Sequence, residues 1–321
     1  MDRFVLEFER PLIELEKRIQ GMKEYSRDED VEMSEEIAKL EEKALKLSKD
    51  IYTKLTRWQK VQLARHPQRP YTLDHIQRMT RFFIEVHGDR AYGDDPAIVA
   101  GFGAIEDQHV VIVGHQKGRT TKEKLYRNFG MPHPEGFRKA LKVMKLGSKF
   151  HRPIVCLLDT PGAHPGIGAE ERGQAEAIAR NLFEMSHLPV PILVIVIGEG
   201  ASGGALGIGI GDRLLMMENT WYSVISPEGC AAILWRDSAR ADLAADAMKV
   251  TSQDLFDMKI LDKIIPEPPG GAHRDPDKAA AILKQAILEE LEQLQQIPPE
   301  TLIDNRIEKF GKMGFWDESY T

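Results

Sequence analysis

The residues best suited to chemistry lie in one glycine-rich loop, 198–204, with the sequence GEGASGG. Residues 198–203 match the dinucleotide fingerprint Gly-x-Gly-x-x-Gly, and residues 200–204 match the nucleophile-elbow pattern Gly-x-Ser-x-Gly. The pair Gly203 and Gly204 could instead present two backbone N–H groups to an oxyanion. The three motifs imply different chemistry: cofactor binding, nucleophilic hydrolysis, or electrostatic stabilisation of an anion.

The residues around the dinucleotide motif fit such a site only in part. The loop follows the most apolar run of the chain, 190–197, and Glu218 lies about 20 residues further on, where a ribose-binding acid is expected. Only roughly ten residues remain for a helix before Arg213, and three glycines interrupt them, each weakening a helix by about 1 kcal/mol. Because a parallel crossover normally needs about a dozen residues or more, the spacing argues against a dinucleotide site.

A hydrolase would use Ser202 as its nucleophile and would need a histidine to activate it. His273, in the loop 268–276, is the only histidine after Ser202 in the sequence. Other folds could use His164 or His187 as the base, so sequence order leaves a hydrolase open. Ser202 could equally be a small residue that lets a helix pack closely.

The oxyanion interpretation requires no reactive side chain. If Gly203 and Gly204 begin a helix, its dipole and two N–H donors can hold an anionic oxygen, and the absent Cβ atoms let a ligand touch the backbone. A second loop, containing Gly162 and Ala163, follows another apolar run and could line the same pocket. The alternative for this second loop is a pair of Pro-Gly turns without a binding role.

Composition limits the class of protein. With 321 residues and 42% hydrophobic content, the chain can bury a full core. The net charge of -7 argues against general nucleic-acid binding, yet residues 117–152 contain eleven Lys or Arg and two acidic residues. This basic segment predicts an anionic ligand or an acidic partner, unless it is a solvated face.

The two cysteines, Cys156 and Cys230, lie far apart, so neither a metal site nor a disulfide framework is expected in this chain. The first residues, MDRFVLEFER, have no apolar signal region, and no run approaches the length of a membrane span. We therefore expect a cytoplasmic protein. No P-loop motif is present, so ATP is not expected to be consumed here by that route.

The chain divides into a helical arm (1–60), an α/β core (61–270) and a helical tail (271–321). In the arm, an apolar stripe at helical spacing runs over 37–55, with Ser34 as the expected N-cap, and a charged loop at 27–30 separates two helices. The stripe has no evident local partner, so it is expected to pack on the core or on another subunit. The tail should form an amphipathic helix over 275–296 with a short charged end.

Strands and helices alternate in the core. Strands are predicted at 109–113, 154–158, 192–197, 214–217 and 221–225, and helices at 134–150 and 170–185. Both candidate loops follow strands, and open α/β sheets bind ligands at the carboxyl ends of their strands.

Five long segments, in order along the chain, resemble the alpha subunit of the bacterial acetyl-CoA carboxylase carboxyltransferase. They are GHQKGRTTKEKLYRNFGMPHPEGFRKALK from Gly114, LLDTPGAHPGIGAEERGQAEAIARNL from Leu157, IGEGASGGALGIGIGD from Ile197, YSVISPEGCAAILWR from Tyr222 and IIPEPPGGAHRDP from Ile264. The resemblance implies a crotonase-like α/β fold, a superhelix of repeated β-β-α units. His164 and Ala201 stand where that family has Tyr and Gly.

By resemblance, the chain transfers the carboxyl group of carboxybiotin to acetyl-CoA and forms malonyl-CoA, the first committed step of fatty acid synthesis. Gly203 and Gly204 would hold the biotin carbonyl oxygen, and Gly162 and Ala163 would line the biotin pocket. A zinc-ribbon-bearing beta subunit would hold most of acetyl-CoA, in an assembly of two alpha and two beta chains. A biotin carboxyl carrier protein would bring the biotin, and a biotin carboxylase would use the ATP.

Three further hypotheses stay open at this point. The chain could be a free-standing crotonase-fold hydrolase or hydratase acting on a CoA thioester, a serine hydrolase using Ser202, or a purely structural subunit. The near matches to a biotin acceptor around Lys145 and Lys249 lack the second Met of such a motif. Biotin is therefore expected to arrive on another protein.

Overall fold

One eight-stranded sheet forms the centre of the computed structural model, which describes residues 4–28 and 32–314. The strands are β1 (Phe82–Glu85), β2 (Ile98–Ile105), β3 (Gln108–His115), β4 (Ile154–Thr160), β5 (Ile192–Ala201), β6 (Arg213–Met217), β7 (Trp221–Ser223) and β8 (Lys263–Ile265). They lie in the order β1-β2-β3-β4-β5-β6-β8, and β7 pairs with the end of β5. The pairs β1–β2 and β2–β3 are antiparallel, and the pairs from β3–β4 onward are parallel.

Helices cover both faces of the sheet. They are α1 (Arg10–Asp28), α2 (Ser34–Thr53), α3 (Arg57–Ala64), α4 (Thr72–Met79), α5 (Thr121–Tyr126), α6 (Pro134–Lys149), α7 (Ile167–Glu171), α8 (Gln174–His187), α9 (Ser202–Leu206), α10 (Pro227–Trp235), α11 (Ala241–Met248), α12 (Ser252–Asp257), α13 (Pro276–Leu294) and α14 (Pro299–Gly311). Residues of α6 and α8 pack on one face of the sheet, and those of α4 and α13 pack on the other.

The central strands are apolar throughout because both of their faces are buried. Along β4, Ile154 and Cys156 contribute to the core under α6 and α8, whereas Val155 and Leu157 contribute to the core under α4 and α13. This alternation follows from the two-residue repeat of a strand. Because β4 and β5 are parallel, their carboxyl ends lie at one edge of the sheet.

Most of the predicted core elements are present, with shifted boundaries. The strand expected at 221–225 is shorter, as β7, and β1, β2 and β8 were not predicted. The helix expected at 170–185 is divided into α7 and α8 at Gly173, which has a φ of 82°. A residue in this left-handed conformation cannot continue an α-helix, and glycine adopts it without strain.

A short parallel crossover joins β5 to β6, so the expectation that this spacing is too short for one is wrong. β5 and β6 are parallel neighbours, although only residues 202–212, which include the five-residue α9, connect them. The connection returns almost the whole length of β5, because Arg213 at the start of β6 lies opposite Leu193. The end of β5 pairs instead with β7.

The apolar stripe of the arm has a local partner, contrary to expectation. α1 and α2 pack against each other, and Leu12 and Ile19 of α1 meet the stripe residues Ile37, Leu40 and Leu47 of α2. Ser34 is the first residue of α2 and not its cap, because Met33 occupies the N-cap position. Part of the charged loop, residues 29–31, lies outside the described residues.

The tail contains more helix than predicted. α13 matches the expected amphipathic helix, and the Asp275 side chain caps it by accepting from the Lys278 N–H at 2.9 Å. A further helix, α14, follows where a short charged end was expected, and residues 315–321 lie outside the described part. Among the described helices, none combines the length and the apolar composition that a membrane span requires.

Candidate functional site

The two glycine-bearing loops meet at the carboxyl ends of β4 and β5. The Gly204 Cα lies so close to the second loop that a Cβ there would stand 2.3 Å from the Gly162 carbonyl carbon and 2.5 Å from the Ala163 nitrogen. Gly162 has a φ of 148°, which favours glycine, and its N–H donates to the Thr160 hydroxyl at 3.1 Å. The structure therefore brings all four predicted residues, Gly162, Ala163, Gly203 and Gly204, into one surface.

A sharp turn between β5 and α9 places the glycine pair at the start of a helix. Ser202, the first residue of α9, has a φ of 57°, which reverses the chain directly after the strand. Gly203 and Gly204 lie in the first turn of α9, where backbone N–H groups have no acceptor within the helix. Gly203 is half-buried and Gly204 is buried. Two adjacent N–H donors are thus available at this point of the sheet edge.

A buried histidine fixes the peptide group of Gly204. His115, at the end of β3, donates from Nε2 to the Gly204 carbonyl at 3.0 Å and accepts from the Asp159 N–H at Nδ1, at 3.3 Å. Burial lowers the pKa of His115 to about 3, so the ring is neutral. Because Nδ1 accepts, Nε2 must carry the proton, and the ring acts as a fixed donor to Gly204. Sequence reasoning did not single out His115.

A buried ion network holds the two strand ends together. Lys117 Nζ lies 2.7 Å from Asp159 Oδ1 on β4 and 2.7 Å from Glu199 Oε1 on β5. Arg65, which follows α3, contacts Glu199 and also Glu228. Burial raises the pKa of Glu199, but Lys117 and Arg65 outweigh it and hold that pKa below its usual value.

The network also explains Gly198 and Glu228. A Cβ on Gly198 would stand 2.3 Å from Asp159 Oδ1, so the network has room only because residue 198 is glycine. Glu228 follows Ser226, whose hydroxyl caps α10 by accepting from the Gly229 N–H at 3.1 Å. Its contact with Arg65 makes Glu228 a structural residue on the rim of the network.

Comparison with known proteins identifies the family. Residues 5–314 match the model of the acetyl co-enzyme A carboxylase carboxyltransferase-like family. The chain belongs to this family. It is 56% identical to the acetyl-coenzyme A carboxylase carboxyl transferase subunit alpha of Chlorobium luteolum, over 98% of both chains. It is also 56% identical to the subunit of the same name from a Geobacillus species, over 96% of this chain and 95% of that one.

Solved structures agree with the fold. A transcarboxylase 12S chain superimposes with a TM-score of 0.58 at 20% identity, covering 71% of this chain and 42% of that chain. The Pseudomonas malonate decarboxylase MdcD-MdcE hetero-dimer gives a TM-score of 0.59 at 15% identity, covering 75% of this chain and 95% of that chain. Both are crotonase-fold proteins, so the chain has the crotonase-like α/β fold that the five sequence segments imply.

Ser202 has the elbow conformation of a nucleophile but no base. His164 accepts the Gly166 N–H at Nδ1, at 3.1 Å, and its ring stacks on His133 with centroids 4.0 Å apart. His187 contacts the Phe183 carbonyl, and His273 contacts Glu9. None of the three histidines that the sequence offered as a base for Ser202 therefore bonds to it in the described part of the chain. A serine hydrolase is not favoured.

One buried cluster has the composition of a metal site, where the arm meets the core. Glu9, His66 and His273 bring candidate ligand atoms within 4.8 Å of one another. The two imidazole rings lie one against the other, tilted by 32° with centroids 4.0 Å apart, whereas imidazoles that share a metal point their nitrogens at it from different directions. Both His66 nitrogens already have backbone partners, at Phe4 and Gln68. The geometry fits a direct contact between Glu9 and His273, at 3.2 Å, better than a metal centre.

Proposed function

We propose that this chain is the alpha half of a carboxyltransferase, which moves a carboxyl group from carboxybiotin on a carrier protein to acetyl-CoA and yields malonyl-CoA. Bound biotin supplies the carboxyl group, and its ureido oxygen becomes more anionic as that group leaves. The Gly203 and Gly204 N–H groups donate to this oxygen. Gly162 and Ala163 form the adjacent wall. The relatives named as carboxyl transferase alpha subunits support this assignment.

The observation that carries the proposal is the contact between Gly204 and the 162–163 backbone. No side chain separates the two loops, so they pack backbone against backbone and offer a ligand one continuous backbone surface. His115 and the Lys117 network hold this backbone in place before a ligand arrives. Prepositioned donors cost no reorganisation during the reaction, and the loss of one such donor lowers turnover by about 100-fold to 1,000-fold.

Catalysis by this chain requires no acid or base of its own. Donors aimed at a developing charge stabilise the transition state more than the ground state. The chain's part in the reaction is therefore to bind and orient the biotin end, and the thioester must be held by another surface. We assign that surface to a zinc-ribbon-bearing beta subunit, in an assembly of two alpha and two beta chains.

An exposed apolar helix supports a partner of this kind. α10 carries Ile233 at 72% exposure and Leu234 at 61%, and Val224 just before it is 80% exposed. α10 begins at Pro227, a few residues after β7, and β7 pairs with the end of β5. Exposed apolar side chains grouped in this way mark protein interaction surfaces. The carrier protein and the ATP-dependent biotin carboxylase complete the proposed system.

The test is malonyl-CoA formation by the purified chain with a carboxylated carrier, in the presence and absence of the beta partner. We expect the isolated chain to be nearly inert, because it cannot hold both reactants at the roughly 3 to 3.5 Å of a reactive pose. Adding the partner should restore turnover. Robust malonyl-CoA synthesis by the homogeneous chain alone would contradict the proposed division of labour.

A further inference from the structure

The basic segment 117–152 divides into paired and unpaired cations. Lys117, Arg119, Arg138, Lys139 and Lys145 form ion pairs with carboxylates. Arg127 and Lys142 donate to backbone carbonyls. Within residues 4–28 and 32–314, the other four cations of the segment have no ion-pair partner, and all are exposed: Lys122, Lys124, Lys149 and Arg152. Five of the eleven cations noticed in the sequence are thus paired with carboxylates inside the chain.

Two of these four cations share one protrusion with exposed apolar side chains. We name residues 119–129 the rim lobe. It comprises α5 and its flanks, and every residue from 119 to 126 is exposed. Leu125 is 61% exposed, Tyr126 64% and Phe129 48%. The rim lobe therefore presents apolar area together with Lys122 and Lys124.

The base of the rim lobe is fastened to the candidate site. Gly130 packs closely on Lys117. A Cβ at position 130 would stand 2.7 Å from Lys117 Cγ and 3.5 Å from the Asp159 carbonyl oxygen. The Pro132 carbonyl accepts from the His164 N–H at 3.0 Å. The chain that leaves the rim lobe thus runs along the end of β4 and against the loop of Gly162. The rim lobe stands beside the surface formed by the two glycine loops.

We propose that the rim lobe is the docking surface for an acidic face of the protein that carries biotin; this inference rests on the proposed function. The rim lobe is positive, with Glu123 as its one acidic residue, on a chain whose net charge is -7. An acidic protein is repelled by most of such a chain and steered to a positive patch. Because biotin must reach the Gly162 and Gly204 surface while attached to its carrier, the carrier must dock next to that surface.

The experiment uses the complex of this chain with its beta partner, run from malonyl-CoA toward acetyl-CoA. In this direction the carboxyl group leaves malonyl-CoA and joins a biotin nitrogen, while the displaced proton returns to the acetyl carbon. The acceptor is either the biotinylated carrier or free biocytin. The test variant is Lys122→Glu/Lys124→Glu, and the control is Lys149→Glu/Arg152→Glu. The control changes the net charge by the same amount as the test variant. Its two residues lie between the end of α6 and the start of β4, at the sheet edge opposite the candidate site.

We expect the test variant to raise KM for the carrier about tenfold and to change KM for biocytin less than twofold, with the control near wild type. The wild-type KM for the carrier should also rise with salt more steeply than that of the variant. An unchanged KM for the carrier, or an equal effect of the control, would overturn the proposal. A raised KM for malonyl-CoA alone would assign the rim lobe to CoA phosphates instead. Wild-type complex that uses neither acceptor would refute the proposed function itself, and the docking role with it.

Discussion

Replacing Lys117 by Met removes the cation from the centre of the buried network. Lys117 Nζ lies 2.7 Å from both Asp159 and Glu199, whose side chains are 3% and 8% exposed. Met preserves most of the aliphatic stem and carries no charge. Removing one partner of a buried ion pair costs about 3–5 kcal/mol, because a buried charge stays uncompensated. Arg65 still contacts Glu199, so we expect the lower end, about 3 kcal/mol of unfolding free energy.

The loss of unfolding free energy in Lys117→Met should depend on pH. In the wild type, the cations around Glu199 outweigh its burial and hold its pKa below the model-peptide value of 4.5. Such a carboxylate stabilises the fold above its unfolded pKa, and that contribution disappears as the pH falls through the folded pKa. Without Lys117, burial pushes the carboxylate pKa values upward, so the variant regains stability on acidification. The difference between the two proteins should be largest near neutral pH and shrink toward about pH 5.

Urea unfolding followed by circular dichroism, at pH values near 8 and near 5, measures both effects. Lys145→Met is the matched control, because Lys145 forms a surface ion pair of 2.8 Å with Glu184 and its side chain is 45% exposed. That pair should contribute at most about 1 kcal/mol. Equal losses for Lys117→Met and Lys145→Met, or a Lys117→Met loss that does not vary with pH, would refute the reasoning about the network.

Three further outcomes follow from the site and the arm. Ser202→Ala should reduce malonyl-CoA formation less than about threefold, since Ser202 has no base; a loss of two orders of magnitude would revive the nucleophile hypothesis. Gly162→Ala should cost about 1 kcal/mol or more in urea unfolding because of its φ of 148°, whereas Gly21→Ala, in open space on α1, should stabilise by roughly 0.5–1 kcal/mol. Deleting residues 1–53 should destabilise the core, because it removes the contacts of Glu9 with His273 and of Glu16 with Arg274, and an unchanged urea midpoint would contradict this.

Three of the predicted strands are buried on both faces along most of their length. β3, β4 and β5 read as uninterrupted apolar runs, which is typical of parallel strands in the middle of a sheet. β1 is a half-exposed edge strand, β8 has three residues, and β2 contains two glycines. One of them, Gly101, faces the β1 backbone so closely that a Cβ would stand 2.2 Å from the Ile84 oxygen. These three strands depend on neighbours that a local pattern does not contain.

The candidate site was predictable in its loops and not in its support. Glycine patterns after apolar runs located all four loop residues. The Lys117 pair with Glu199 joins residues 82 positions apart, so only the fold reveals it, although a polar residue at a strand end is a usable signal. The contact of Gly204 with the Gly162 backbone is equally hidden from the sequence, because it depends on how the two loops pack. A side chain at position 204 must displace the second loop.

The central claim is that the backbone N–H groups of Gly203 and Gly204 hold the biotin ureido oxygen. A crystal structure of the complex of this chain with its beta partner, soaked with biocytin, measures this directly. The account predicts the ureido oxygen about 2.7–3.1 Å from both backbone nitrogens, with the ring against Gly162 and Ala163. A ureido oxygen bound elsewhere, for example to the Ser202 hydroxyl with both glycine N–H groups unused, would contradict it.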